Sequence, residues 1–78
     1  MFWNRNRNEC EIYVIDLVNQ LHTIKVKLDV TPEEILQNLH IEDAYLVLDG
    51  IMVSPTNLKK YLREGSTFYA CKIKEKGW

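Results

Sequence analysis

Two stretches near the start of the chain carry patterns of apolar and polar residues that predict a pair of β-strands. From Glu9 to Val18, apolar residues occupy both alternating sets, as in a strand that is covered on both faces. From Thr23 to Val30, apolar and polar residues alternate, as in a strand with one face in water. Residues 19–22 between them are typical of a turn, so the sequence predicts an N-terminal hairpin.

A helix is predicted directly after this hairpin. Thr31 suits the N-cap, Pro32 suits the first helical position, and Glu34 completes a capping box. The helix is expected to end at about residue 40 and to depend on packing, since a helix this short is marginal alone. Its apolar side chains share one face and can cover a sheet: Ile35, Leu36 and Leu39.

The second half of the chain carries short apolar segments around a turn signal. Tyr45–Leu48 is predicted to be a strand, and Asp49 and Gly50 a tight turn, because both turn residues tolerate positive φ. Three further elements are predicted: a short returning strand over residues 51–53, a helical turn over residues 57–62 and a last strand over residues 67–74.

Composition and charge narrow the class of protein. The chain has 78 residues, of which 46% are hydrophobic and 27% charged, as in one compact domain. Its net charge of −1 provides no one-signed field for nucleic acid. The first eight residues contain no apolar run long enough for a signal peptide or a membrane span. We therefore expect a cytoplasmic protein that binds neither nucleic acid nor membrane, with a flexible arm over residues 1–8, a domain over residues 9–76 and a tail over residues 77–78.

Several stretches of the chain resemble ubiquitin, and the predicted order of elements is that of the β-grasp fold. The similar stretches are Leu46–Gly50, Asn57–Leu62, Gly65–Tyr69 and Thr23–Leu28. Membership of the ubiquitin-like β-grasp family implies an α+β fold. In this fold a mixed sheet of four or five strands packs on one short helix, and a short helical turn precedes the last strand.

The resemblance also implies different roles for the two faces of the sheet. The helix is expected to cover the face that carries Ile12, Val14, Leu46 and Phe68, while the other face exposes an apolar patch that binds another protein. The patch is expected to be rimmed by four lysines: Lys25, Lys27, Lys72 and Lys74. The predicted binding residues are Tyr13, Ile15, Tyr45, Val47, Ile51, Met52, Tyr69 and Cys71, of which Val47, Tyr69 and Cys71 stand at positions of ubiquitin's own recognition surface.

The chain departs from ubiquitin at positions that matter for covalent attachment. Ile51 stands where ubiquitin has the lysine most used for chain growth, and the sequence ends in Lys76, Gly77 and Trp78 rather than in the Gly-Gly carboxylate that modifiers and sulfur carriers need. We therefore expect a non-catalytic binding module, with a covalent modifier or sulfur carrier activated at its C-terminus as the alternative. Three other readings stay open: self-coverage of the patch by the N-terminal arm or Trp78, a homodimer through the sheet face, and an inhibitory mimic of ubiquitin's surface.

The sequence contains no pattern that predicts catalysis, a metal or a cofactor. Cys10 and Cys71 lack the spacing of a zinc or redox motif. If the first and last strands pair in parallel, the two cysteines are about 20 Å apart, too far for a disulfide. His22 and His40 are single and far apart in sequence, and neither is flanked by residues at metal-ligand spacing. We expect two free thiols and no catalytic residue, metal or cofactor.

Overall fold

Five strands and two short helices make up the computed structural model, which describes residues 8–73. The elements are β1 (Glu9–Ile15), β2 (Leu21–Lys27), α1 (Pro32–Asn38), β3 (Ala44–Leu48), β4 (Ile51–Met52), α2 (Pro55–Tyr61) and β5 (Thr67–Lys72). The strands form one sheet in the order β2-β1-β5-β3-β4. The β1–β5 pair is parallel and the other pairs are antiparallel. The mixed sheet and the α+β class agree with the sequence prediction.

One face of the sheet packs against the two helices, and together they form a single apolar core. Alternate residues of the central strands point into it, as the period of a strand requires. Burying a large aliphatic or aromatic side chain stabilises the fold by about 1.5–3 kcal/mol, so this core, rather than helix propensity, holds the two short helices in place. The largest fully buried side chains are Ile12, Val14, Ile35, Leu46, Leu58 and Phe68.

Both helices begin at a capping box with proline in the first turn. The box at Thr31 was predicted, and it is present. At α2, the backbone N–H of Ser54 donates to the side-chain oxygen of Asn57 at 2.7 Å, and the Ser54 hydroxyl accepts from the Asn57 N–H at 3.3 Å. The sequence prediction placed this helical segment at residues 57–62. The helix begins instead at Pro55. Proline is accepted there because the backbone N–H that it lacks has no hydrogen-bond partner in the first turn of a helix.

The turn between β1 and β2 lies earlier than the predicted residues 19–22. The N–H of Asn19 donates to the carbonyl of Asp16 at 3.0 Å. Asn19 adopts a φ of 64°, a conformation that asparagine tolerates better than most residues. The chain therefore re-enters the sheet at Leu21, which pairs with Ile15.

Parts of the predicted domain division fall outside the described residues. The arm predicted over residues 1–8 lies outside them except for Asn8, and the tail predicted over residues 77–78 lies outside them entirely. The strands and helices extend from Glu9 to Lys72. Among residues 8–73, no helix is both long and apolar enough to cross a membrane.

Candidate protein-binding face

The sheet face opposite the helices carries apolar side chains that align across all five strands. In the strand order β2, β1, β5, β3 and β4, the register aligns Leu21, Ile15, Tyr69, Val47 and Met52. We call these residues the apolar row, and the face that carries them the outer face. Directly opposed residues project to the same side of a sheet, so the row is continuous. Four strand spacings make it roughly 19 Å long.

The apolar row is open to solvent at both ends and in its middle. Leu21 and Met52 at the ends are each 60% exposed, and Tyr69 at the centre is 48% exposed. Ile15 and Val47 between them are half-buried. Contiguous exposed apolar surface marks interaction sites, whereas single exposed apolar residues need no explanation. The row is therefore the strongest candidate site in the described part of the chain.

Three other predicted site residues flank the row on the same face. Tyr45 opposes Cys71, and Tyr13 opposes Thr67. Tyr13, Tyr45 and Cys71 are each half-buried. The structure thus brings the predicted site residues together on one face, with the exception of Ile51.

Ile51 lies at the edge of the sheet but outside the apolar row. It opposes Leu48, which packs against the core, whereas its neighbour Met52 opposes an outer-face residue. The two-residue turn at Asp49 and Gly50, with φ values of 54° and 77°, fixes this register. Successive strand residues point to opposite sides, so of the two only Met52 extends the outer face.

Leu21 belongs to the apolar row but was not among the predicted site residues. Sequence reasoning assigned it to the turn, which hid its pairing with Ile15. The signal that identifies it is Asn19, whose tolerance of positive φ closes the loop two residues before Leu21. At the tip of this loop, Leu17 and Val18 are 43% and 74% exposed, so apolar surface continues beyond the row.

Charged residues on the outer face of the strands lie in the half formed by β1 and β2. There Glu11 opposes Lys25, and Glu9 opposes Lys27. Residues directly opposite in an antiparallel pair are near neighbours, so each of these glutamates has a lysine of opposite charge beside it. Each pair contains one negative and one positive side chain, so this border of the outer face carries no net charge.

The predicted lysine rim is incomplete on the β3–β5 side. Lys72 opposes Ala44, next to the pair formed by Cys71 and Tyr45. Alternation along the strand therefore turns Lys72 away from the outer face. Lys74 lies outside the described residues.

Asp16 holds the hairpin tip beside the row. Its Oδ1 accepts hydrogen bonds from the N–H groups of Val18 at 2.9 Å and Gln20 at 2.8 Å, and its Oδ2 lies 2.7 Å from Nε2 of His22. These bonds lower the pKa of Asp16, with the His22 bond contributing most and the Gln20 N–H next. The ionised carboxylate thus stabilises the loop that presents the exposed Leu17 and Val18.

The two cysteines lie on opposite faces of the sheet as free thiols. Cys10 is buried in the core, and this burial, together with the nearby charge of Glu64, raises its pKa. Cys71 is half-buried and faces outward beside Tyr45. Thiols on opposite sides of one sheet cannot join in a disulfide without moving the backbone.

Among residues 8–73, no three potential metal-ligating side chains form a cluster. A hollow of about 700 Å³ lies between β2 and α1. The charged residues that line it are exposed, so it lacks the water-excluding geometry that favours catalysis. These lining residues are Lys25, Lys27, Asp29 and Glu34.

Comparison with known proteins relates this architecture to ubiquitin. No family model and no curated protein matches the chain. A protein designed de novo by Hydra on the basis of ubiquitin aligns with a TM-score of 0.68 and 21% identity, over 92% of this chain and 96% of that one. A computationally designed protein based on human erythrocytic ubiquitin aligns with a TM-score of 0.63 and 28% identity, over 88% and 96%. A structure described as molecular mimicry of SUMO that promotes DNA repair aligns with a TM-score of 0.65 and 11% identity, over 85% and 94%.

The chain therefore has a ubiquitin-like β-grasp fold. The likeness covers most of the length of each protein, and it establishes the fold rather than a partner or an activity.

Proposed function

We propose that the chain is a non-catalytic protein-binding module that acts through the apolar row. The observation that carries this proposal is the strand register, which aligns one apolar side chain from every strand on one exposed face. A half-exposed tyrosine, Tyr69, stands at the centre of the row. Tyrosines at the centre of an interface are among the residues that contribute most to binding.

A cytoplasmic location belongs to the same proposal. Cys10 and Cys71 are both free thiols on opposite sides of the sheet, which suits a reducing compartment. The apolar core holds the fold together, and no disulfide joins the two cysteines.

The test compares two variants that each add one carboxylate. Val47→Asp places a charge in the middle of the apolar row, and Thr56→Asp places one on an exposed position of α2, outside the outer face. Val47 is half-buried, so an aspartate there stays in contact with water in the free protein. In a complex, the same charge would be buried without a partner, at a cost of about 3 kcal/mol, or on the order of 100-fold in affinity.

The measurement is affinity capture from a cell extract, followed by mass spectrometry. We expect proteins that bind the wild type and Thr56→Asp but not Val47→Asp, while circular dichroism shows the same fold for all three. If the partner is a second copy of the chain, light scattering will report a dimer that Val47→Asp dissociates. Equal capture by Val47→Asp and the wild type would refute the proposal.

The rival function, covalent attachment through the C-terminus, has a separate test. Intact mass is measured after incubation with ATP and cell extract. A binding module keeps its mass, whereas a modifier or sulfur carrier gains an adduct at its terminal carboxylate.

A further inference from the structure

Three tyrosines on the outer face form a diagonal across the central strands β1, β5 and β3. Tyr13 on β1 opposes Thr67, which lies two residues before Tyr69 on β5. Tyr45 on β3 opposes Cys71, which lies two residues after Tyr69. Each step from one tyrosine to the next thus crosses one strand and advances two residues. We call Tyr13, Tyr69 and Tyr45 the tyrosine diagonal.

The spacing of the tyrosine diagonal matches one type of extended peptide. A lateral step of about 4.8 Å combined with an advance of about 6.6 Å gives roughly 8 Å between successive tyrosines. A polyproline II helix repeats every three residues and rises about 9.3 Å in that distance. One turn of such a ligand therefore covers about the distance between two successive tyrosines, and six or seven ligand residues span all three tyrosines.

The chemistry of the diagonal also suits this ligand. None of the three tyrosine hydroxyls makes a hydrogen bond within the described part of the chain, so each ring offers an apolar surface with an available O–H donor. A proline-rich segment offers flat apolar rings and carbonyl acceptors that no internal hydrogen bond occupies. Pairing of these groups is the usual basis of polyproline recognition by aromatic side chains.

The charge distribution favours an uncharged ligand. The tyrosine diagonal and the apolar row contain no charged residue. At their border, the charges of Glu9 and Glu11 are matched by those of Lys27 and Lys25 directly opposite. A ligand with a strong charge of either sign therefore gains little attraction from this face. A neutral segment that is already extended also loses less conformational entropy on binding.

We propose that the occupant of this face is an uncharged, proline-rich segment of a partner protein, bound in the polyproline II conformation across the tyrosine diagonal. The inference rests on the proposed function and specifies the class of partner.

The experiment titrates fluorescein-labelled decaproline with the full chain and follows fluorescence anisotropy. Tyr69→Leu keeps an apolar side chain but removes the aromatic ring and the hydroxyl. Tyr61→Leu is the matched control, because it makes the same change on α2, outside the outer face. We expect saturable binding by the wild type, a change within about twofold for Tyr61→Leu and a loss of about fivefold or more for Tyr69→Leu.

Two results would overturn the inference: no saturable binding at about 1 mM wild-type protein, or equal affinity of Tyr69→Leu and the wild type. Tyr45→Leu gives an independent reading, and it decides the question if Tyr69→Leu does not fold. The outcome is separable from that of the proposed function. If decaproline does not bind but Val47→Asp still abolishes capture of a protein partner, the binding module stands and the proline-rich partner is excluded.

Discussion

Leu46 and Val47 are neighbours on β3 that point to opposite faces, so replacing each by alanine distinguishes the core from the outer face. Leu46 is fully buried, with 0% of its surface exposed. We expect Leu46→Ala to lower the free energy of unfolding by about 3 kcal/mol, because it removes buried methyl groups and leaves a cavity. A domain of this length has a total stability of roughly 4–12 kcal/mol, so the loss is a large share.

Val47→Ala should have a much smaller effect. Two buried methyl groups contribute about 1.6 kcal/mol when they are fully removed from water. Val47 is only half-buried on the outer face, which reduces the expected loss to below about 1 kcal/mol. The difference between the two variants is therefore about 2 kcal/mol, although they are adjacent in sequence and both carry aliphatic side chains.

Urea unfolding followed by far-ultraviolet circular dichroism measures both losses. With a slope of about 1 kcal/mol per M, the lower end of the range for small domains, the midpoint should fall by about 3 M for Leu46→Ala and by less than about 1 M for Val47→Ala. An unchanged slope shows that stability, rather than the unfolded state, has changed. Equal losses would refute the division of β3 between a covered and an open face, and a larger loss for Val47→Ala would reverse it.

Two further predictions concern the hairpin tip and the thiols. Because the pKa of Asp16 is lowered in the folded state, its contribution to stability is complete above the usual value of 3.8 and is lost as the pH falls through the folded-state pKa. Asp16→Asn should thus be less stable than the wild type at pH 7, and the difference should shrink in acid; a constant difference from pH 7 to pH 2 would contradict this. Native protein should react with N-ethylmaleimide at Cys71 well before the buried Cys10, whose pKa is raised, and peptide mass spectrometry showing equal rates would exclude the assignment of the two faces.

Most of the fold could be predicted from the sequence because strand alternation is a local property. In β1, the apolar residues Ile12 and Val14 occupy one alternating set and Tyr13 and Ile15 the other, and the structure places the first set in the core. The same alternation separates the two faces of β5. The parallel pairing of β1 with β5 was available from the resemblance to ubiquitin rather than from spacing.

The errors arose where a turn decides the register. The two-residue turn after Leu48 pairs an even-numbered residue, Leu48, with an odd-numbered one, Ile51. Ile51 therefore projects to the same side of the sheet as Leu48, and not to the side of Val47. The β1–β2 loop instead pairs odd-numbered residues with odd-numbered residues, which places Leu21 beside Ile15 on the outer face. Alternation along one strand cannot supply this information, because a shift of one residue across a turn exchanges the two faces of the returning strand.

The edges of the sheet and its outer face differ in how they are protected from other chains. Edge strand β2 presents Lys25 and Lys27, and edge strand β4 consists of Ile51 and Met52 alone. Charged side chains and short length are the two common means of preventing edge-to-edge association. The apolar row has neither, because it contains no charged residue and crosses all five strands, and Tyr69 stands half-exposed at its centre. Because the edges carry these means of preventing association and the apolar row does not, we propose binding through the apolar row rather than through strand addition.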